Sequence, residues 1–395
     1  MRKTSMILLA AALPMAVQAA NTEFKFGGYV KYDAMMTKYS DAELGAGSAT
    51  SVFYIPAAVP VKANDAEVES TSFDSGVKNS RFNFKTTTSL DNGEKVVSFI
   101  ELDFFTGEGD ERISNSSGSR LRHAFFKYGN YTFGHTWTTL MNPAHLPESV
   151  DFVGVSDGAV FARQAMVRYT NGPLQIALEN PETTVANTAA TGADSTSGAN
   201  NVSDDSTLPD MIVRYNIKAD NADFMVAGIA RQFAYTNPTN TDGKEVDESV
   251  MRFGLTASGK VQLGKDDLKF SIAKGHLGRY TGIGQSNDAT LTDKGDLVGN
   301  SVLAAYVGYR HFWTDSVRST LAYSMFRADN HSDTHDTEAE ADAVNESSKS
   351  IRANVMWSPA PKMTFGVEAS KATLKKESGL EGDLKRLHFT AKYAF

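Results

Sequence analysis

The chain ends in Arg386-Leu387-His388-Phe389-Thr390-Ala391-Lys392-Tyr393-Ala394-Phe395, a segment that alternates almost without a break. Side chains of a β-strand repeat every two residues, so Leu387, Phe389, Ala391, Tyr393 and Phe395 share one face and Arg386, His388, Thr390 and Lys392 the other. The second face is too polar for a packed core. One side of this strand must therefore meet apolar material and the other water, which is the condition of a strand in the wall of a membrane barrel.

The same two-faced pattern recurs upstream. Phe82 and Phe84 oppose Arg81, Asn83 and Lys85; Met211, Val213, Tyr215 and Ile217 oppose Arg214, Asn216 and Lys218; Met251, Phe253 and Leu255 oppose Arg252, Gly254 and Thr256; Ile351, Ala353, Val355 and Trp357 oppose Arg352 and Asn354. Sixteen such segments lie between residues 24 and 395, with blurred faces in the fourth, ninth and twelfth. Their connections alternate in length. Tight turns at 91–93, 129–130, 171–173, 220–221, 265–267, 314–315 and 359–361 follow the even-numbered strands, while long polar gaps near 40–77, 106–119, 141–163, 183–206, 236–247, 281–297, 329–347 and 375–382 follow the odd ones. Short periplasmic turns and long external loops order a barrel in this way, and a soluble sandwich has no reason to sort its loops by parity. The expected fold is all-β: a 16-stranded antiparallel transmembrane β-barrel.

Composition agrees. Arg2 and Lys3, the apolar run Met6 to Val17 and the small residues up to Ala19 read as a signal peptide over residues 1–19, which leaves 20–395 as one barrel domain without a linker. No later segment approaches the roughly 20 consecutive apolar residues of a membrane helix. Cysteine is absent, which removes disulfide and thiolate-metal schemes. Loss of the two leader charges takes the formal net charge from -8 to about -10, and an acidic chain argues against a nucleic-acid partner.

Each even-numbered strand carries an arginine opposite in parity to its apolar neighbours: Arg81, Arg122, Arg168, Arg214, Arg252, Arg310, Arg352 and Arg386. An arginine facing lipid near the midplane costs roughly 2–4 kcal/mol, so all eight are expected to face a water-filled lumen and guide anionic solutes. Lys85, Lys218, Lys269 and Lys392 add to that face, and the inward acids Asp33, Glu101, Asp103, Glu179 and Glu368 are possible salt-bridge partners. The third external loop, 141–163, carries Leu146, Val150, Phe152, Val153, Val155, Val160 and Phe161, too apolar for a loop left in solvent. It is expected to fold into the barrel and set Glu148, Asp151 and Asp157 against part of the arginine wall; packing on a neighbouring subunit is the alternative.

His123-Ala124-Phe125-Phe126, Phe133-Gly134-His135-Thr136-Trp137-Thr138-Thr139, Pro147-Glu148-Ser149-Val150-Asp151-Phe152 and Arg163-Gln164-Ala165-Met166-Val167-Arg168-Tyr169-Thr170 resemble the trimeric porins of the DcaP type, most strongly over residues 78–182. The resemblance implies a sixteen-stranded homotrimer of the Gram-negative outer membrane that passes small anions, notably dicarboxylates, through an arginine-rich eyelet. It also implies Gln at position 135 and often Pro at 165, where this chain has His135 and Ala165. The terminal Phe395 resembles the signal that barrel-assembly machinery reads on its clients.

Other motifs carry less. His331-Ser332-Asp333-Thr334-His335-Asp336 with Glu338, Glu340 and Asp342 sits in an acidic low-complexity loop suited to loose divalent bridging to lipopolysaccharide rather than to a metal site. His135 and His388 lie in no nucleophile motif, so a barrel enzyme of outer-membrane lipid or peptide ranks below a porin, and no cofactor is expected. Within the porin reading, a general non-specific pore is the alternative to an anion-selective one.

Overall fold

The computed structural model describes residues 21–41, 48–62, 68–106, 117–187, 201–203, 205–237, 246–291, 296–330 and 344–395. The signal-peptide segment and the His331–Asp342 cluster lie outside them. The barrel strands are β1 (Thr22–Tyr39), β2 (Arg81–Ser89), β3 (Lys95–Thr106), β4 (Gly118–Tyr128), β5 (Tyr131–Trp137), β6 (Arg163–Asn171), β7 (Leu174–Glu179) and β8 (Asp210–Ala219). The wall continues through β9 (Ala222–Asn237), β10 (Val246–Leu263), β11 (Asp266–Gly275), β12 (Ser301–Phe312), β13 (Val317–Asp329), β14 (Asn345–Trp357), β15 (Met363–Lys376) and β16 (Glu381–Ala394). Each pairs antiparallel with the next, and β16 returns to β1 from Tyr29↔Ala394 to Tyr39↔Leu384. The sheet closes on itself, leaving no edge to aggregate.

Alternation decides which way each wall residue points. Met211, Val213, Tyr215, Phe253, Leu255, Ile351, Val355, Leu387 and Tyr393 are exposed on the outer face. Their neighbours Arg214, Thr256, Arg352, Asn354, Arg386 and His388 are buried on the inner one. No described helix is long and apolar enough to cross a membrane; the strands do so. At the seam Phe395 stacks on Phe26 with ring centroids 5.3 Å apart, and its N–H donates to the Gly28 carbonyl.

The turns are local chemistry. Gly129 and Gly172 hold φ of 52° and 57° in tight hairpins, a conformation that costs glycine nothing and other residues a clash. A different irregularity matters on β4, where Glu101 pairs with His123 and Leu102 with Leu121, so Arg122 is an extra residue in the ladder. This bulge lets Arg122 and His123 both turn to the buried side.

Three long gaps hold strands that periodicity did not reveal. Ser70–Gly76, within the expected 40–77 loop, pairs with the outer end of β1 and extends the stave of β2. Its alternation is among Ser, Thr and Asp, with Phe73 the one large apolar residue. Thr183–Asn187, Asn201–Ser203, Ala289–Leu291 and Leu297–Gly299 form a separate four-stranded sheet, with Thr183–Asn187 parallel to Ala289–Leu291. Segments of three to five residues are too short to show a period. Val185, Phe233, Ala289, Leu291 and Leu297 cluster beneath this sheet.

Candidate functional site

Between β5 and β6, residues 138–162 make contacts with the buried faces of strands around much of the barrel, most of their hydrogen bonds falling on β10 to β15. His145 Nδ1 lies 2.8 Å from Ser258 Oγ on β10, the Lys269 ammonium on β11 donates to the Leu146 carbonyl at 2.9 Å, and the Gly158 N–H donates to Ser324 Oγ on β13 at 2.7 Å. Asn354 on β14 donates to the Glu148 carbonyl at 3.1 Å, and Glu368 on β15 accepts from the Val150 N–H at 3.0 Å. The wall makes room for it. A Cβ on Gly308 would meet the Pro147 ring at 2.6 Å, and one on Gly366 would meet Val150 Cγ2 at 2.9 Å. Gly158 itself lies on the β12 backbone, where a Cβ would stand 1.9 Å from the Ala305 carbonyl oxygen.

Two arginines tie the start of the loop. Arg168 donates to the Trp137 carbonyl at 2.6 Å and to Thr139 Oγ1 at 2.8 Å; Arg214 donates to the Met141 carbonyl at 2.8 Å and to Asn216 Oδ1. Neither has an acidic partner within salt-bridge reach among the described residues. Burial, offset in part by Asp223 and reinforced by Arg214, Lys269 and Lys260, brings the His145 pKa down to about 4. It is a neutral imidazole sealed from solvent with Ser258, not a base with access to a substrate.

All eight sequence-selected arginines project to the buried side of the wall, but their surroundings divide them. Arg352 and Arg386 are 2% exposed and lie against the loop. Arg352 pairs with Glu368 at 3.0 Å; Arg386 donates to Thr37 Oγ1 and the Thr50 carbonyl, with Asp151 at 3.9 Å. Asp157 contacts no arginine within 4 Å among the described residues; it accepts from the Tyr54 hydroxyl at 2.7 Å and from Ser350. Against this part of the wall three carboxylates, Asp151, Asp157 and Glu368, meet two guanidinium groups.

Around the Phe152 ring of the loop the balance reverses. Arg81, Arg120 and Arg122 converge on the Phe152 ring, their guanidinium carbons 5.7, 6.0 and 5.3 Å from its centroid. They share two carboxylates: Asp103 binds Arg120 through two bonds of 2.9 and 2.8 Å and Arg122 at 2.8 Å, while Glu101 binds Arg122 at 2.7 Å and Arg81 at 3.4 Å. Lys392 and Arg81 both lie over the Tyr29 ring, at 4.5 and 4.8 Å. Arg120 is 30% exposed and Arg81 18%, so these charges touch water.

Glu148 joins the two regions. Its carboxylate accepts from Arg318 at 2.7 Å through each oxygen and from Arg310 at 3.1 Å, while Arg310 also binds Asp267. Burial alone would raise its pKa, but hydrogen bonds and charge from Arg318, then Arg310, hold the carboxyl below its ordinary value.

Sequence reasoning missed Arg120, Arg318 and Arg231. Arg120 shares the face of Arg122 two residues away, a signal available in the sequence. Arg318 sits on an odd-numbered strand, as does Arg231, which is 1% exposed and bound to Asp210 at 3.2 Å and Asp288 at 2.7 Å. Arg231 holds the segment after β11 against the wall; its apolar neighbours Ile229 and Phe233 are also on the inner face, which explains why β9 showed no clear parity. Among the described residues Arg252, by contrast, donates only to the Met251 carbonyl at 3.3 Å. Among the described residues no group of His, Asp and Glu is arranged to hold a metal ion.

A closed sixteen-stranded wall with an apolar outer face and a charged inner one defines an outer-membrane channel of the porin class. The sequence matches the family described as DcaP outer membrane protein over residues 10–395, and the chain belongs to that family. Among solved structures, the outer membrane channel DcaP of Acinetobacter baumannii superposes with a TM-score of 0.73 at 20% identity, covering 96% of this chain and 98% of that one. An anion-selective porin from Comamonas acidovorans gives 0.53 at 11% identity, over 95% and 100% of the two chains. OmpF of Salmonella typhi gives 0.53 at 12%, over 95% and 98%. No curated protein matches the sequence. The family places the chain in the outer membrane.

Proposed function

We propose that this protein is a passive diffusion channel selective for small anions, dicarboxylates in particular. The observation that carries the reading is the asymmetry of charge across the barrel. The 138–162 loop is read as narrowing the passage, its Asp151 offsetting Arg386 and its Glu148 offsetting Arg310 and Arg318, while Glu368 of β15 pairs with Arg352. Arg81, Arg120, Arg122 and Lys392 outnumber Glu101 and Asp103 on the wall around the Phe152 ring, so the net field there is read as positive. An anion entering from outside is concentrated by that field and exchanges part of its hydration for guanidinium N–H donors. Sharing of each guanidinium with a resident carboxylate keeps binding weak, so the solute leaves again.

The anion-selective porin of Comamonas acidovorans, similar in fold, agrees with this reading. A homotrimer is proposed by analogy with OmpT of Vibrio cholerae, solved in a trimer form. The signal peptide at 1–19, recognition of Phe395 by assembly machinery and the absence of catalysis belong to the same proposal. The test is the reversal potential in planar bilayers under a KCl gradient, with succinate as blocker. The wild-type channel is expected to prefer chloride and to be blocked by millimolar succinate, and Arg81→Gln with Arg120→Gln to lose most of both. Cation preference in the wild type overturns the proposal.

A further inference from the structure

The outer face of the wall carries a second basic feature, unrelated to the lumen. Lys38 of β1 pairs directly with Lys385 of β16, and Lys385 directly with Lys371 of β15. Three ammonium groups thus stand side by side in one row across three adjacent strands, all exposed on the apolar side of the barrel. Like charges directly opposite one another destabilise a sheet, so such a row calls for an external anion. Lys38 contacts Glu69 at 2.7 Å and Lys371 contacts Asp383 at 3.0 Å, both exposed pairs of small worth. Lys385 has no salt bridge among the described residues. Two carboxylates leave the row with one positive charge in excess, and exposed Lys349 on β14 adds another nearby.

The height of the row is informative. Each lysine lies toward the strand end that leads into a long loop, hence toward the external side. One step below, in register, run Leu321, Ala353, Ala369, Leu387 and Met36. The two adjacent alanines leave an apolar furrow of about 710 Å³ beneath Lys371 and Lys385. Positive charge directly above an apolar furrow suits an amphiphile that carries phosphate over an acyl chain.

We infer that the β14–β15–β16–β1 surface binds a phosphorylated glycolipid of the outer leaflet, the lipid A part of lipopolysaccharide. Its phosphates lie on Lys38, Lys385 and Lys371, and an acyl chain fills the furrow over Ala353 and Ala369. The site is independent of conduction, since none of these side chains faces the lumen.

The test uses the full mature chain, delipidated in detergent, with diphosphorylated lipid A, its dephosphorylated form and phosphatidylglycerol as probes, read by native mass spectrometry. Diphosphorylated lipid A should bind tightest, and Lys38→Gln with Lys371→Gln and Lys385→Gln should weaken it by about fivefold per lysine, on the order of a hundredfold together. Ala369→Phe, which keeps every charge and fills the furrow, should weaken it separately. Heat-modifiable gel mobility and single-channel conductance should match wild type, which confirms folding and separates this site from the channel. Equal binding by the triple variant, equal binding of dephosphorylated lipid A or phosphatidylglycerol, or loss of subunit association in place of lipid, which would mean that a second copy covers the row, each overturns the inference.

Discussion

Glu148→Gln is the sharpest single test of the charge asymmetry, because one carboxylate both restrains the loop and offsets two lumen arginines. The substitution preserves side-chain volume and removes one negative charge. Arg310 keeps Asp267 and Arg318 keeps the Ser358 hydroxyl at 3.0 Å, so neither guanidinium is stranded. Glu148 is 24% exposed, so the loss of its charged hydrogen bonds is discounted from the buried-pair range to about 1–2 kcal/mol of loop anchoring. The electrostatic effect on a passing ion is of similar size. A unit charge about 4 Å away is worth about 1 kcal/mol in water, or about fivefold in permeability ratio. At about 0.1 M salt the screening length is roughly 10 Å, and at 1 M roughly 3 Å. Reversal potentials under a KCl gradient should therefore shift toward anions by about fivefold at low salt and hardly at all near 1 M. No shift at low salt, or a shift toward cations, refutes the reasoning. A rise in conductance with unchanged selectivity would show that the substitution acts through loop position alone.

Other outcomes follow from the same contacts. Asp288→Asn leaves the buried Arg231 with Asp210 as its one remaining carboxylate in salt-bridge range among the described residues, so the loss is that of charged hydrogen bonds, about 1.5–3 kcal/mol; the heat-conversion midpoint on gels should fall, and an unchanged midpoint would contradict the assigned role. Gly158→Val drives a side chain into the Ala305 carbonyl, so the loop must leave β12 and single-channel conductance should rise; wild-type conductance with wild-type stability would show that the loop does not rest there. Because the Glu148 carboxyl is held below its ordinary value, its contribution is fully present above the unfolded Glu pKa of about 4.3 and is lost as pH falls through the lower folded value. Loop-gating noise should be flat between about pH 7 and pH 5 and rise on further acidification, whereas a rise centred near neutrality would assign it to another group.

Much of the wall was legible because orientation in a strand is a local property. Parity alone placed Arg81, Arg122, Arg214, Arg352 and Arg386 opposite their apolar neighbours, and the turn residues set the order of short and long connections. What parity cannot carry is the identity of the partner across the barrel. Glu148 meets Arg318 across 170 positions and Arg386 meets Thr37 across 349, and which inner residues share a height depends on the barrel shear. Where a loop covers the wall, the local signal itself fails: the inner face of β9 is apolar around Arg231, because described residues of the β11–β12 connection, His276, Ala289, Leu291 and Leu297 among them, rather than water lie against it. The same covering redistributes the meaning of the arginines. On the function proposed above, a cation bound to an acid of the third loop holds that loop, while Arg81 and Arg120, which share Glu101 and Asp103 with Arg122, remain available to solute. The number of arginines in the sequence therefore says less about selectivity than where the acids of the third loop come to rest, and Glu148, Asp151 and Asp157 leave Arg81 and Arg120 with the smaller share of negative charge.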